Sequence, residues 1–472
     1  MLPWSHVFFP QVFIPRQRFD LAVTWDEGRD APVVRSDHTG VPCKEVAPRR
    51  ILCGSRRIPA HRTDPEVTYV DVLPSIVVAE PTTWANLAAT YGDIIRGTFS
   101  DHGTMQFQLG RLLSGAGTDR EKLARLHGFV AREIRYVGLE HGTGGIVPRP
   151  TRTTLQRRYG DCKDKTALFI NLAELAGFTA YPVLTSSDRQ AVDRLAVPAH
   201  TYFDHVVACV SLPTDGEICV DLTDPYSSLA DSARVLEGAV RLDLHGSSGA
   251  PRLFARRNPE RQRRVDTWTS MTADGVIKET QVISMIGETA SRTRAGLVGL
   301  NTTQRQRRLL DFYHSGYADG IDPTFTVDGL DNVDKRLSIR VKATFANSFD
   351  PNAITHFRDL EGWLSNELDV ARAENKHHAY RFGGSDFVGV THIEVPPGRQ
   401  PEFTGAQLDF NSPFGFLRRS YTSFGRKVQV DTHLSLPAQV IPVGRMAEFN
   451  AFLKALKENA AIWFSMKKKD DS

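Results

Sequence analysis

The apolar positions along the chain recur with two different periods. Short alternating or continuous apolar runs, separated by Gly, Pro and Asp, fill residues 1–80 and most of the second half of the chain, which predicts strands. By contrast, Leu168, Leu172 and Leu175 recur at helical spacing, and Gly177 follows as a C′ residue. We therefore predict an α+β core that lies between two β-rich regions.

The same periods predict the organisation of the other segments. A helix is expected over 83–95, a Gly-rich linker around 98–117, and a second helix after a capping box at 118–121. The C-terminal region is predicted to be a mostly-β sandwich with a hairpin around Asp274-Gly275. Helices are also expected within this region at 302–317, 360–373 and 446–466. The predicted domains are 1–100, 101–250 and 251–472.

A cysteine stands at the predicted start of the helix that carries the leucines. Asp161 is a favourable N-cap residue, and Asp164 completes a capping box three positions later. Cys162 would then lie in the first turn, where the helix dipole and free N–H groups favour a thiolate. This position fits a nucleophile, although a buried free cysteine is more often a small apolar filler.

A cysteine nucleophile needs a base and a third group that orients the base. His205 opens the apolar strand HVVACVSL, Asp221 ends the next apolar strand, and Asp215-Gly216 between them is a turn signal. We therefore expect His205 and Asp221 on adjacent antiparallel strands. A two-residue turn would place Asp224 on the face of His205, whereas a bulge or a three-residue loop would place Asp221 there.

The motifs RYGDCKDKTALFINLAELAGF, FDHVVACVSL and CVDLTDPY together resemble the transglutaminase-like cysteine enzymes. The similarity covers residues 60–230 best, and it is to bacterial members in which a papain-like core lies between two β-rich domains. The resemblance implies a triad of Cys162 as nucleophile, His205 as base and Asp221 as the residue that orients the imidazole. The resemblance favours Asp221 over Asp224 as the third member of the triad. The alternative role for Asp224 is to cap a turn. The resemblance also implies a periplasmic or extracytoplasmic location.

The segment before the nucleophile contains two further candidates. Residues 138–152 are rich in Gly and Pro and carry positive charge, which is typical either of a loop that lines a substrate cleft or of a plain surface connection. Tyr136 lies just before this loop. It is a candidate hydrogen-bond donor to an oxyanion, and the alternative is a packed core tyrosine.

Composition excludes several classes of function. The chain has 472 residues, 24% of them charged, with a formal net charge of +3, so it is not predicted to bind nucleic acid. No apolar run reaches the roughly 18 residues of a membrane helix, and the N-terminus lacks the basic region of a secretory signal. The five cysteines are too scattered for a disulfide framework. For Cys43 and Cys53 we expect a reduced pair, with a disulfide as the alternative.

The predicted function is thiol-dependent acyl transfer or amide hydrolysis on a peptide or protein, with a thioester intermediate. Hydrolysis and transfer to an amine are not distinguished, and no oligomeric state is predicted. No cofactor or metal is expected, since no Cys/His set has zinc-ligand spacing. The alternative is a non-catalytic binding or assembly module of the cell envelope that retains the same fold. A redox role for Cys162 is disfavoured because no Cys-x-x-Cys motif surrounds it.

Overall fold

A computed structural model of the chain contains helices and strands throughout, so the predicted α+β class is confirmed. The chain divides into two compact units, Met1–Arg256 and Arg257–Ser472, and the bounds of the three predicted domains stay predictions. The structure describes residues 2–37, 40–64, 67–100, 102–138, 145–213, 216–245, 249–256, 263–313, 323–346, 355–358, 364, 368, 377–404, 407–460 and 463–468.

In its described residues, the first unit combines short sheets with α-helices. Its strands are β1 Ser5–Phe8, β2 Arg16–Thr24, β3 Val33–Asp37, β4 Cys43–Ala47, β5 Arg50–Ile58, β6 Ser75–Ala79, β7 Arg135–Tyr136, β8 Tyr159–Gly160, β9 Thr179–Thr185, β10 His205–Leu212, β11 Gly216–Val220, β12 Val240–Asp243 and β13 Arg252–Leu253. Its α-helices are α1 Tyr69–Val72, α2 Trp84–Arg96, α3 His102–Leu113, α4 Asp119–Gly128, α5 Thr151–Arg157 and α6 Cys162–Leu175.

The first six strands form two three-stranded sheets, with the orders β1-β6-β3 and β2-β5-β4. Val23 and Cys53 from the second sheet pack in one apolar cluster with Ile76 and Val78 from the first. The two sheets therefore face one another, which agrees with the β-rich N-terminal region that the apolar pattern predicts.

The core of the first unit is built around α6 and a five-stranded antiparallel sheet of order β11-β10-β9-β12-β13. Every side chain of α6 from Cys162 to Ala173 is buried. Leu168 and Leu172 pack with Leu123 and Leu126 of α4 in the largest apolar cluster of the unit. A central helix with no solvent-facing side fixes the position of its first residue, Cys162, more firmly than a surface helix would.

Two local predictions in this unit have clear outcomes. The capping box before α4 is confirmed, since the Thr118 hydroxyl accepts from the backbone of Glu121 and the Glu121 carboxylate accepts from that of Thr118. The linker predicted around 98–117 is wrong, because helix α3 occupies most of it. The glycines that suggested a linker, Gly103 and Gly110, lie inside this helix, where an added Cβ would meet nothing within 4 Å. Open space of this kind lets a helix tolerate glycine at a modest cost.

The second unit is mostly β. Its strands are β14 Arg263–Met271, β15 Ile277–Met285, β16 Thr324–Asp328, β17 Leu337–Phe345, β18 Thr355–Arg358, β19 Tyr380–Phe382, β20 Ser385–Glu394, β21 Arg399–Thr404, β22 Leu408–Ser412, β23 Gly415–Phe424, β24 Lys427–Leu436, β25 Gln439–Ile441 and β26 Trp463–Lys468. The helices of this unit that the structure describes with their bounds are α7 Gly287–Leu297, α8 Thr302–Tyr313 and α9 Met446–Ala460. The main sheet has eight strands in the order β16-β17-β15-β14-β20-β24-β23-β22.

The predicted hairpin and the first predicted helix of the second unit are confirmed, and the predicted sandwich arrangement stays a prediction. The hairpin around Asp274-Gly275 joins β14 to β15, with Met271 paired to Ile277. The helix predicted from residue 302 is α8, whereas most of the helix predicted over 360–373 lies outside the described residues. The predicted tail helix ends earlier than expected, at Ala460. Trp463 begins β26, which pairs with β18 and β21.

Four of the five cysteines form disulfides, of which only Cys43–Cys53 was among the predicted alternatives. Cys43 is joined to Cys53 across β4 and β5, and Cys209 is joined to Cys219 across β10 and β11. Each pair is directly opposite in its hairpin register. The prediction of a reduced Cys43 and Cys53 pair is therefore wrong. Cross-strand pairing brings the sulfurs together although the cysteines are ten residues apart.

None of the helices within the described ranges combines the length and the apolar character needed to cross a bilayer.

Candidate active site

The first turn of α6 is fixed by a reciprocal capping box. The Asp161 carboxylate accepts from the Asp164 N–H at 3.1 Å, and the Asp164 carboxylate accepts from the Asp161 N–H at 3.3 Å. Cys162 follows as the first helical residue and is only 5% exposed. It is the one free cysteine of the chain. The predicted helix start is confirmed, and with it the position of the thiol at the positive end of the helix dipole.

Charged side chains hold this helix start from outside the capping box. Arg149 donates to Asp164 twice, from its backbone N–H at 2.7 Å and from its guanidinium at 2.5 Å. Lys163 is buried and donates to Asp161 at 2.6 Å. Burial raises the pKa of Asp161, although the hydrogen bond from Lys163 opposes this change. Neither Arg149 nor Lys163 was identified from the sequence, because a charged residue near a helix start usually faces water.

The register of β10 and β11 decides which acid faces His205. Leu212 pairs with Gly216, which leaves three residues between the paired positions instead of two. Residues 214 and 215 of this turn lie outside the described residues. The three-residue connection places His205 and Asp221 on the same face, as the second of the two predicted registers requires.

The structure brings the three predicted residues together. His205 Nε2 lies 3.0 Å from Asp221 Oδ2, and Cys162 lies near enough to the imidazole to act on its pKa. Burial acts to lower the pKa of His205. The hydrogen bonds and negative charges of Asp221 and Cys162 outweigh burial and raise this pKa to about 10.

Asp221 is held on both carboxylate oxygens. Oδ2 faces His205, while Oδ1 accepts from the Thr223 N–H at 2.9 Å and from its hydroxyl at 2.7 Å. Burial acts to raise the pKa of Asp221, but the hydrogen bonds and the charge of His205 keep it below its ordinary value. Asp224 instead accepts from the Tyr226 N–H at 2.8 Å, which is the turn-capping role considered as its alternative.

A buried hydroxyl and a second imidazole support Asp221 from behind. The Ser232 hydroxyl donates to the Asp221 carbonyl at 2.8 Å and accepts from the Asp221 N–H at 2.9 Å. His127 Nε2 lies 3.0 Å from the same hydroxyl. The single proton of the Ser232 hydroxyl is directed at the Asp221 carbonyl. His127 must therefore be the donor in its contact with this hydroxyl, so the ring proton of His127 lies on Nε2.

The imidazole of His127 stays neutral in this position. Burial, together with the positive charges of Arg132 and Lys165, lowers its pKa to about 3. Sequence reasoning missed His127, although one signal was available. His127 lies four residues after Leu123 and three before Val130, which places it on the apolar face of α4.

A buried lysine lies close to the same site. Lys165 donates to the backbone carbonyls of Ala131 and Ile134 at 3.2 and 2.6 Å, at the end of the π-helical turn Phe129–Glu133. Burial lowers the pKa of Lys165 to about 8, and the charge of Asp221 acts in the opposite direction. Lys165 therefore joins α6 to the C-terminal end of the preceding helical segment, where free carbonyls need donors.

Tyr136 lies beside the approach to the nucleophile. Its strand β7 pairs in parallel with β8, so that Tyr136 is opposite Gly160, two residues before Cys162. The side chain is 45% exposed, which is not the burial expected of a packed core tyrosine. Residues 139–144 of the predicted loop 138–152 lie outside the described residues.

Among the described residues, one cluster has the spacing of metal ligands. It consists of Cys209, Glu217 and Cys219. The two sulfurs are joined in a disulfide and are therefore not thiolate ligands in this state. The Glu217 carboxylate is engaged by Arg241 at 2.7 and 3.1 Å. These contacts make the cluster part of the β10–β11 hairpin structure.

Comparisons with known proteins agree with this fold. No protein-family model matches the sequence, and a comparison with curated proteins finds no significant match. Among solved structures, the chain is similar to a "putative protease" from Parabacteroides distasonis, with a TM-score of 0.63 and 12% identity over 98% of this chain and 75% of that chain.

Two further solved structures align with lower TM-scores. A "putative cysteine protease" from Cytophaga hutchinsonii has a TM-score of 0.23 and 13% identity, over 54% of this chain and 84% of that one. The transglutaminase of red sea bream has a TM-score of 0.21 and 10% identity, over 93% and 91% of the two chains. The similarity to the first of these three structures shows a shared fold.

Proposed function

We propose that the protein catalyses thiol-dependent acyl transfer or hydrolysis at an amide of a peptide or protein substrate. The observation that carries this proposal is the position of His205. Its Nε2 lies 3.0 Å from Asp221, which leaves Nδ1 for the thiol, and Asp221 and Cys162 together raise the pKa of the imidazole to about 10. Such an imidazolium favours the thiolate of Cys162 and can donate its proton to a leaving amine.

The first half of the reaction forms a thioester. The Cys162 thiolate attacks the amide carbonyl, so that a sulfur–carbon bond forms and the carbonyl π electrons move onto oxygen. When this tetrahedral intermediate collapses, the carbon–nitrogen bond breaks and the departing nitrogen takes the Nδ1 proton of His205. Asp221 keeps the imidazole oriented and stabilises its charged form throughout.

Two groups are suited to stabilise the oxyanion. The backbone N–H of Cys162 belongs to the first turn of α6, and the capping box uses the N–H groups of Asp161 and Asp164 instead. Tyr136, on the strand beside Gly160, is the proposed second donor through its hydroxyl. Both would act on the charge that develops in the transition state.

The second half of the reaction releases the acyl group. Water or an amine gives a proton to His205 Nδ1 while its oxygen or nitrogen bonds to the acyl carbon, and the carbon–sulfur bond then breaks to return the thiolate. Water as acceptor makes the protein an amidase or peptidase, and a primary amine makes it a transglutaminase. The two outcomes share every residue named above.

We also propose that the protein works in an oxidising, extracytoplasmic compartment. The two disulfides, Cys43–Cys53 and Cys209–Cys219, support this proposal. Disulfides persist in the periplasm and outside the cell, whereas cytosolic thiols are kept reduced.

Alkylation and turnover together test the proposed chemistry. Intact-mass measurement after iodoacetamide treatment at pH 6 should show one modified site in the wild type. We expect no modification in Cys162→Ala and much slower modification in His205→Ala, because the imidazolium that favours the thiolate is gone. Denatured casein supplied with a biotinylated alkylamine then reports turnover, since cleavage indicates hydrolysis and incorporation of biotin indicates transfer.

The inactive Cys162→Ala variant is the control for both assays. Activity that persists in this variant would show that another group or a contaminant is responsible. If Cys162 reacts no faster at pH 6 than a free thiol and neither casein product forms, the proposed enzyme function is wrong for this chain.

A further inference from the structure

The main sheet of the second unit carries a trough of about 530 Å³ on one face. The sheet register places its lining side chains in two adjacent rows that cross five strands. The inner row contains Thr280, Trp268, His392, Gln429 and Thr422, each paired with the next across the sheet. The outer row contains Lys278, Ser270, Glu394, Lys427 and Phe424. At about 4.8 Å between strands, each row extends roughly 19 Å.

Two aromatic side chains are exposed within these rows. The Trp268 indole stacks on the His392 imidazole with ring centroids 5.6 Å apart and an angle of 11° between the planes, yet Trp268 remains 43% exposed. Trp268 lies between His392 and Thr280 in its row and keeps this exposure although His392 stacks on one face of the indole. Phe424 lies in the other row and is 89% exposed. Exposed aromatics of this size on a folded sheet indicate a binding surface.

The rest of the trough is polar. Hydroxyl and amide groups from Thr280, Thr422 and Gln429 lie in the row of the indole, and the outer row adds two ammonium groups and one carboxylate. The Glu394 carboxylate accepts from Arg426 at 2.8 Å, which fixes its position beside the trough. A protein interface of similar size would have an apolar centre, but the centres of both rows, His392 and Glu394, are polar.

We propose that this trough binds an oligosaccharide segment of a polysaccharide. A pyranose ring has an apolar C–H face, which matches the exposed part of the Trp268 indole, and hydroxyl groups around its rim, which match the donors and acceptors on both sides. The volume lies in the range of small-molecule sites, and the length of a row suits several sugar units in sequence. The proposal goes beyond the proposed acyl chemistry, and no lining residue belongs to the Cys162 site.

Calorimetric titration of the full-length protein tests the site with three probes. These are hexasaccharides of β-1,4-linked glucose, of N-acetylglucosamine and of galacturonate, which distinguish neutral, acetamido and anionic sugars. At least one should bind. Trp268→Ala should weaken its binding by at least about tenfold, because a central aromatic carries a large share of the contact. Trp268→Phe, which keeps an aromatic face, should retain more of the binding, and Gln429→Ala should weaken it.

Trp4→Ala is a matched control, since Trp4 is 44% exposed, lies near a histidine ring and belongs to the first unit. Binding should be unchanged in this variant and in Cys162→Ala, so failure of this proposal is distinguishable from failure of the proposed chemistry. If none of the three hexasaccharides binds, the proposal is overturned. It is also overturned if binding survives both Trp268→Ala and Gln429→Ala, or is lost equally in Trp4→Ala.

Discussion

At the scale of single residues, the candidate active site depends on a continuous line of hydrogen bonds. It runs from His205 to the carboxylate of Asp221, and from the backbone of Asp221 to Ser232 and His127. With a pKa of about 10, His205 carries a proton on both ring nitrogens at neutral pH, whereas His127 stays neutral. A buried network of this kind is rigid when all its members are satisfied, and removal of one member leaves a buried group without a partner.

Asp221→Asn should change the proton affinity of His205. The hydrogen bond and charge of Asp221 raise the pKa of the imidazole, so their loss should make His205 titrate at least about one pH unit lower than the wild-type value of about 10. A raised histidine pKa stabilises the folded state fully below about pH 6.5, and this contribution is lost as the pH rises toward 10. The pH range over which His205 stabilises the folded state should therefore be narrower in Asp221→Asn. Titration of selectively ¹³C-labelled histidine by NMR measures this change directly.

Asp224→Asn is the appropriate control, because its side-chain oxygen can still accept from the Tyr226 N–H. The titration of His205 should be unchanged in this variant. A shift in Asp224→Asn that equals the shift in Asp221→Asn would contradict the assignment of Asp221 as the orienting acid.

At the scale of elements, the start of α6 depends on a close approach of backbone before the nucleophile. A Cβ at Gly160 would lie 2.6 Å from the Asp164 Cβ and 3.2 Å from Thr154 Cγ2. Gly160 lies on β8, and its carbonyl also accepts from the Val137 N–H at 2.9 Å. Strand β8 therefore sits against the capping box, and the absence of a side chain at residue 160 lets it do so.

Gly160→Ala should therefore disturb both stability and the reactivity of Cys162. The new methyl group must displace Asp164, which is held by Arg149 and by the capping box, and such overpacking costs roughly 1–3 kcal/mol. We expect a lower free energy of unfolding in urea and slower alkylation of Cys162 at pH 6. Gly110→Ala in α3 is the control, since an added Cβ there meets nothing within 4 Å and alanine favours a helix. Equal stability of the two variants would contradict this account of residue 160.

At the scale of the whole molecule, the chain forms two compact units with separate apolar clusters. The cluster around Leu168 and Leu172 belongs to the first unit, and the cluster around Leu434 and Phe449 belongs to the second. Both disulfides lie in the first unit. Reduction should therefore affect the two units differently.

Scanning calorimetry should show two unfolding transitions, of which a reducing agent shifts only one. Each disulfide closes a short loop and contributes roughly 2–4 kcal/mol, so reduction should lower the midpoint of the first unit by roughly 10–20 °C. Leu434→Ala, which opens a cavity in the second unit, identifies the other transition. A single transition, or equal shifts of both on reduction, would contradict independent stabilisation of the two units.

The sequence by itself determined the features that depend on neighbours along the chain. The capping boxes at Thr118 and Asp161 and the helical period after Cys162 involve partners no more than four residues apart, so residue types alone predict them. The motif resemblance likewise predicted a site of Cys162, His205 and Asp221, and the structure places His205 beside Asp221. Local signals failed where glycine is tolerated in open space, as in α3, and at the end of the tail helix, where pairing with β18 and β21 makes Trp463 begin a strand.

Only the tertiary structure decided which distant groups meet. The register of β10 and β11 placed Asp221, and not Asp224, beside His205. The same pairing joined Cys209 to Cys219. Packing of α4 brought His127 to Ser232 across 105 residues of sequence, and pairing of five strands assembled the trough around Trp268. These contacts depend on loop geometry and on the burial of one face of each element, which no local residue pattern specifies.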